Sequence, residues 1–274
     1  MLVTGCSSGI GWATALTLRD QGWRVVPTAR KADDLDRLRA EGFDPVGLDM
    51  ADDASIEAAA AETLSRFPRL YGVVNNAGYG QPGAMEDVTR DQFRMQFQVN
   101  VVGLHDLTCR LLPALREAGS GRVVHISSVV GRVVLPFLGA YCASKHALEA
   151  MADAMRVELR NSGIRVILIE PGPIATRFRE RAEAEAEAVV ANPSSPHQEA
   201  YRKHLGGGTG EGTLRDVFRK PPEAVAETVA RALTARWPRA RYPVTVPAHV
   251  GTVVRRLVPT VAEDAIKGWA AGTG

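Results

Sequence analysis

The chain has 274 residues, 45% of them hydrophobic and 23% charged, with a formal net charge of +2. That size supports one large core, in one or two domains, and the composition is ordinary for a globular protein. The near-neutral balance excludes a strongly basic nucleic-acid binder and an acidic disordered tail.

Short, β-branched runs at 1–4, 24–29, 44–48, 72–75, 121–127, 164–170 and 242–246 predict strands. Helical periods at 9–21, 32–40, 54–67, 89–118, 140–161 and 222–236 alternate with them. Val73-Val74 and Val166-Ile167-Leu168-Ile169 are apolar without alternation. Strands buried on both faces read that way, and parallel sheets contain them. Strand–helix alternation with short connections then predicts an α/β fold, a Rossmann-type doubly wound parallel sheet. Neither a repeat nor a linker divides the chain, so residues 1–274 are expected to form a single domain. An insertion at 177–220 breaks the rhythm, with a helix-forming Ala/Glu stretch at 182–188 and then Gly206-Gly207-Gly208. It reads as a helical substrate lid, the alternative being a disordered surface insertion. The first strand is short: three residues precede Thr4-Gly5, and a short strand or a start further upstream both account for that.

The first turn reads Thr4-Gly5-Cys6-Ser7-Ser8-Gly9-Ile10-Gly11 and sits between a strand and a helix. Glycines there permit a tight turn and a close backbone approach to a pyrophosphate. The helix start adds free N–H groups and a positive dipole end. Such turns also occur before ordinary helices, so the motif alone is weak. The second strand runs into Arg30-Lys31, and no acidic residue follows until Asp33. A carboxylate would repel a 2′-phosphate and an arginine receives one, so Arg30 predicts NADP(H), with NADPH preferred over NADH. The alternative is a solvated surface arginine.

Tyr141 and Lys145 stand four apart in a helical period and share one face. A phenol ordinarily titrates near about 10, and a neighbouring ammonium lowers that value. The pair predicts a Tyr that exchanges a proton with an alcohol or carbonyl oxygen. Ser128 ends the fifth strand thirteen residues earlier, where open α/β sheets place ligands, and it could bond the same oxygen. A strand-end turn residue and a half-buried core aromatic are the plain alternatives for Ser128 and Tyr141. Asn75-Asn76-Ala77-Gly78 and Pro171-Gly172-Pro173-Ile174-Ala175-Thr176 end two further strands. Turn residues are common there, but three turns on one sheet edge suggest one cleft.

Together these motifs resemble the short-chain dehydrogenase/reductase family, from Thr4 to about Val246. The resemblance implies that Tyr141 is the acid/base and that Lys145 lowers its pKa and holds the nicotinamide ribose. It implies that Ser128 donates to the substrate oxygen and that Asn100 holds a water in the proton relay. It places Gly5, Ser7, Ser8, Gly9, Ile10 and Gly11 at the phosphates, and Asp49 and Met50 beside the adenine. It places Asn76, Ala77 and Gly78 at the adenine ribose, and Pro171, Gly172, Ile174 and Thr176 at the carboxamide and phosphates. Ser8 stands where many NADP-preferring members carry a basic residue, which leaves Arg30 as the main 2′-phosphate partner.

Val129 to Leu138 is strongly apolar and passes the reacting carbon. Phe178 and Phe218 could close the pocket from the lid. An apolar wall favours a hydrophobic ketone, aldehyde or alcohol, although some of these side chains could be plain core. Leu135-Pro136-Phe137 and Glu170-Pro171-Gly172-Pro173 are most similar to the hydroxysteroid and retinol dehydrogenase branch. The expected activity is therefore NADP(H)-dependent interconversion of such a carbonyl and its alcohol. A non-catalytic dinucleotide-sensing protein is the rival from another class, opposed by the complete Asn100–Ser128–Tyr141–Lys145 set. Epimerases and dehydratases of nucleotide sugars share Tyr-x-x-x-Lys but resemble longer chains.

No metal is expected, because none of the six histidines shows ligand spacing. No apolar run approaches the ~18 residues of a membrane span. No charged leader precedes an apolar stretch, so a signal peptide is not expected. Cys6, Cys109 and Cys142 are odd in number and widely spaced, which fits a reducing cytoplasm rather than a disulfide framework. The family resemblance implies pairing of the helices at 89–118 and 140–161 with a second copy, as a homodimer or homotetramer. The C-terminal extension, 248–274, is expected beside the substrate mouth rather than on a membrane surface.

Overall fold

In the computed structural model, the described residues are 1–177, 189, 193–204, 218–249, 258 and 262. They contain a seven-stranded parallel sheet in the order β3-β2-β1-β4-β5-β6-β7. The strands are β1 (Leu2–Val3), β2 (Val26–Ala29), β3 (Val46–Gly47), β4 (Gly72–Asn75), β5 (Gly121–Ile126), β6 (Ile164–Glu170) and β7 (Arg241–Pro243). Around them lie α1 (Gly9–Asp20), α2 (Ala32–Ala40), α3 (Asp53–Arg66), α4 (Arg90–Phe97), α5 (Leu104–Glu117), α6 (Gly139–Glu158), α7 (Gln198–His204) and α8 (Pro222–Thr234).

Alternate strand residues point to opposite faces, and each face has its own core. Leu2, Val73, Val123, Val166 and Leu168 join Ile56 of α3, Leu104, Leu107 and Leu111 of α5 and Leu148 of α6. Val3, Val74, Val124, Ile167 and Ile169 join Ala15 and Leu18 of α1 and Val225, Val229 and Leu233 of α8. This two-sided burial is why the apolar runs of β4 and β6 lack alternation.

Helix starts follow local chemistry. Asp52 caps α3 by accepting from Ala54 N at 3.0 Å, and Thr89 with Gln92 forms a capping box on α4. The long helix expected over 89–118 is a correction: it is broken into α4, a π-helical turn over Gln98–Gly103, and α5. A π-turn widens the helix locally and turns a side chain out of register, and such turns gather at functional sites. Asn100 lies inside this one. The seventh strand also differs, forming over Arg241–Pro243 rather than 242–246, because its pairing follows Leu168, Ile169 and Glu170 of β6. The first strand spans Leu2–Val3 and is held between β2 and β4.

The sheet order reverses between β1 and β4, so the turns after these strands flank the crevice where open α/β sheets bind ligands. The ends of the insertion meet at that edge: Ala175 N donates to Lys220 O at 2.9 Å, and Lys220 N donates to Pro173 O at 3.1 Å. Segment 193–204 docks beside residues 84–87. Tyr201, fully buried, accepts from Ala84 N at 2.8 Å and donates to Asp87, to which Ser195 also donates at 2.6 Å. Residues 182–188, Phe178, the Gly206 triplet and most of 248–274 lie outside the described residues.

Candidate active site

A cleft of about 690 Å³ opens along the C-terminal edge of the sheet. Its walls include Gly5, Ser7, Ser8, Gly9 and Ile10 from the first turn, Arg30 after β2, and Asp49 and Met50 after β3. Asn76, Ala77 and Gly78 after β4 and Thr176 after β6 line it too, whereas Gly11, Pro171, Gly172 and Ile174 do not. Lys31 and Tyr79 line it as well.

The first turn is stitched to the turn after β4. Thr4 Oγ1 accepts from Asn76 N and Ala77 N, both at 2.9 Å, and Asn76 Nδ2 donates to Thr4 O at 2.9 Å and Gly5 O at 3.1 Å. Gly11 lets α1 start against this turn: a Cβ there would lie 2.3 Å from Gly5 O. The result is a rigid rim at a helix N-terminus, the arrangement that receives phosphates. The Arg30 guanidinium is 65% exposed and lies 3.9 Å from Asp49 Oδ2. It reaches into solvent at the mouth rather than into the core.

Ser128, Tyr141 and Lys145 gather where β5 meets α6 and are not part of this cleft's lining. Ser128 Oγ accepts from Val130 N at 3.3 Å and donates to Pro171 O at 3.4 Å. That bond ties the turn after β5 to the turn after β6. Tyr141 is hydrogen-bonded to Ser128. The Lys145 ammonium donates to Ile126 O at 2.8 Å and lies 5.8 Å from the centre of the Tyr141 ring. Burial brings Lys145 down to about 8, against the pull of the Glu149 carboxylate.

The expected lowering of Tyr141 is not what the protein alone shows. Burial raises its phenol above the ordinary value, outweighing the bond to Ser128, and the Cys142 thiol adds to the rise. The physical reason is that a phenolate here would lose water on every side. The buried phenol therefore holds its proton more tightly than a free one.

Asn100 is fully buried, and its amide is locked. Its Oδ1 accepts from Tyr79 N at 3.1 Å, while Nδ2 donates to Tyr79 O at 2.9 Å and Ser144 Oγ at 3.2 Å. Gln96, one helical turn earlier, bonds Tyr79 O at 3.0 Å and accepts from Gln81 N at 2.6 Å. Sequence reading passed over Gln96, Tyr79 and Ser144. The signals were Gln96 and Asn100 four apart, and Ser144 inside the Tyr-x-x-x-Lys turn. Of the remaining predicted contacts, Gly11 and Pro171 are buried and Gly172 and Ile174 half-buried. Gly172 packs on Thr245 and Ile174 pairs with Lys220, so both lie at the rim nearest the insertion. Among the described residues no cluster of His, Cys, Asp and Glu could hold a metal, and no helix is long and apolar enough to cross a membrane.

Residues 1–187 match the family described as short chain dehydrogenase. The chain is 43% identical over 268 residues to the uncharacterized oxidoreductase YbbO of Escherichia coli K12, covering 97% of this chain and 93% of that one. It is 34% identical over 288 residues to human retinol dehydrogenase 16, covering 98% and 87%. A solved actinorhodin polyketide ketoreductase variant with NADPH superposes with a TM-score of 0.72 at 27% identity, covering 90% of this chain and 95% of that one.

Proposed function

The chain belongs to the short-chain dehydrogenase family and is an oxidoreductase, and from that premise we propose that it interconverts a hydrophobic ketone or aldehyde and its alcohol with NADP(H), Tyr141 being the acid/base. The observation that carries this reading is the buried Tyr141 ring next to Ser128, with the buried Lys145 ammonium 5.8 Å from the ring centre and bonded to Ile126 O at 2.8 Å.

The rim fits a dinucleotide. Gly11 leaves the backbone of the first turn bare, α1 points its N-terminus at it, and Arg30 supplies a cation for a 2′-phosphate. NADPH bound there supplies the hydride. The chain's own groups do the rest. Ser128 orients the carbonyl oxygen, Tyr141 gives it a proton, and the Lys145 cation stabilises the phenolate left behind. Asn100, bonded to Tyr79 and Ser144, ties its π-helical turn to α6 at the residue before Lys145. A buried site of this kind excludes water, which strengthens each of these interactions.

Three further assignments belong to the same proposal. The chain is one domain, with 177–220 as lid and 248–274 as extension. Val129 to Leu138 forms the apolar wall, where Phe137 packs on Tyr201 and His197 of segment 193–204. A retinol dehydrogenase among the relatives agrees with a bulky apolar substrate. The working form is a cytoplasmic homo-oligomer.

The test is oxidation of NADPH and of NADH with pooled ketosteroids, retinal and medium-chain aldehydes, run beside Tyr141→Phe. Turnover with NADPH that vanishes in the variant supports the reading. Tight NADPH binding without turnover on any pool would transfer support to the dinucleotide-sensing alternative.

A further inference from the structure

One helical turn beyond Lys145 on α6 stands Glu149, 5% exposed, at the i+4 spacing that shares a face. Three other segments converge on it. From β7, Arg241 Nε donates to Glu149 Oε2 at 3.1 Å. From the segment after Ser128, the Arg132 guanidinium lies 3.9 Å from the same oxygen. From the end of β6, Glu170, 2% exposed, stands 3.3 Å from Arg241 Nε. Asp153, a further turn along α6, accepts from Arg241 at 2.6 Å. Lys145, Asp153, Glu170, Arg132 and Arg241 are the charged groups that face Glu149.

The packing is close. Gly131 leaves room for it: a Cβ there would lie 2.9 Å from Ser127 Oγ, 3.1 Å from Glu149 Cγ and 3.1 Å from Lys145 O. Within it, Oε1 of Glu149 and Oε1 of Glu170 are buried and accept no hydrogen bond. Two buried carboxylate oxygens without donors are costly, and a single proton on the pair supplies one donor. Burial and the neighbouring Glu149 raise Glu170 to about 7, which keeps that proton in place through mildly acidic pH. The charge of Glu149 in turn supports the Lys145 ammonium against its burial.

We propose that Glu149 is a positioning residue for Lys145: its carboxylate, clamped by Arg132 and Arg241, keeps the buried ammonium charged and seated at Ile126 O. The proposal rests on the oxidoreductase reading given above. Nothing in the Tyr-x-x-x-Lys motif contains this acid, because three of its four partners come from other strands and loops.

The experiment measures kcat/KM for NADPH-dependent reduction against pH in the full chain, as wild type, Glu149→Gln, Glu149→Asp and Glu170→Gln. In Glu149→Gln the basic limb moves to lower pH by about one unit, the size expected when an opposite charge is removed. Glu149→Asp keeps a carboxylate and largely restores the limb. Glu170→Gln leaves it in place, since the carboxylate that acts on Lys145 is that of Glu149. A uniform fall at all pH values in Glu149→Gln, with the limb unmoved, overturns the proposal. NADPH affinity against pH reads the same limb if no substrate is turned over, which separates failure of the inference from failure of the functional reading.

A second readout needs neither cofactor nor substrate. Glu170 titrates near 7 when folded and near 4.5 when unfolded. Between those values the folded chain holds a proton that the unfolded chain releases, so stability from Glu170 falls as pH rises through that window. Glu170→Gln removes this slope. The variant's Tm therefore gains on the wild type between pH 4.5 and 7. A pH-independent difference overturns the shared proton.

Discussion

At the β1–β4 end of the cleft, the groups that would meet a nucleotide are backbone amides and side chains in water. Arg30 is 65% exposed, and the first turn is half-buried. At the β5–α6 end, Tyr141, Lys145, Glu149 and Glu170 are each at most 9% exposed. The contrast matches the work that the proposed function assigns to each end. Binding a charged phosphate needs donors that stay fixed, and rigid backbone with a helix dipole supplies them without burying charge. Moving a proton needs groups whose ionisation is sensitive to their surroundings, and burial provides that sensitivity. An exposed end tolerates side-chain exchange, whereas a buried end is set by its whole environment.

The comparison is tested most severely at Tyr141. Tyr141→Phe loses one hydroxyl, and turnover should fall by about 10²–10⁴-fold. NADPH affinity, read by fluorescence titration, should stay within about threefold, because the exposed end carries most of it. Comparable losses of affinity and turnover would erase the division between the ends.

Next in size is Gly11→Ala. Its Cβ would meet the Gly5 carbonyl, a backbone atom that cannot swing aside. The cost in stability should be about 1–3 kcal/mol, seen as a lower urea midpoint, with weaker binding of NADPH and NADH alike. An unchanged midpoint would mean that the rim is softer than its hydrogen bonds imply.

Arg30→Ala should weaken NADPH about tenfold, in line with loss of one charge-assisted contact at an exposed site. NADH affinity should be nearly unchanged, and the NADPH difference should shrink in high salt. Equal losses for both cofactors would remove Arg30 from the 2′-phosphate role.

The smallest effect is expected away from both ends. Tyr201→Phe removes the hydroxyl that bonds Ala84 N and Asp87, for about 1 kcal/mol of stability. If segment 193–204 belongs to the lid, KM for a hydrophobic substrate should rise while kcat changes little.

Much of this was legible before any coordinates. The strands of the central sheet were readable from apolar runs such as Val73-Val74, because burial on both faces leaves a local signature. The first turn and the Tyr141–Lys145 spacing were readable too, since each is a contiguous motif whose geometry is set within a few residues. The break at Gln98–Gly103 was not, because a π-turn depends on what packs against the helix rather than on its periodicity. The seventh strand shifted for a similar reason, its pairing being imposed by β6.

The sequence by itself determined the strand–helix order, the glycine turn and the presence of a phenol one turn from an ammonium. Only the tertiary structure decided the charge states. It buried Tyr141 and Lys145, which raises the phenol and lowers the ammonium from their ordinary values. It also brought Arg132, Glu170 and Arg241 from three separate segments to the carboxylate behind Lys145. Spacing fixes which side chains share a helix face, but ionisation depends on water excluded and charges gathered from every direction, and that is a property of the packed fold alone.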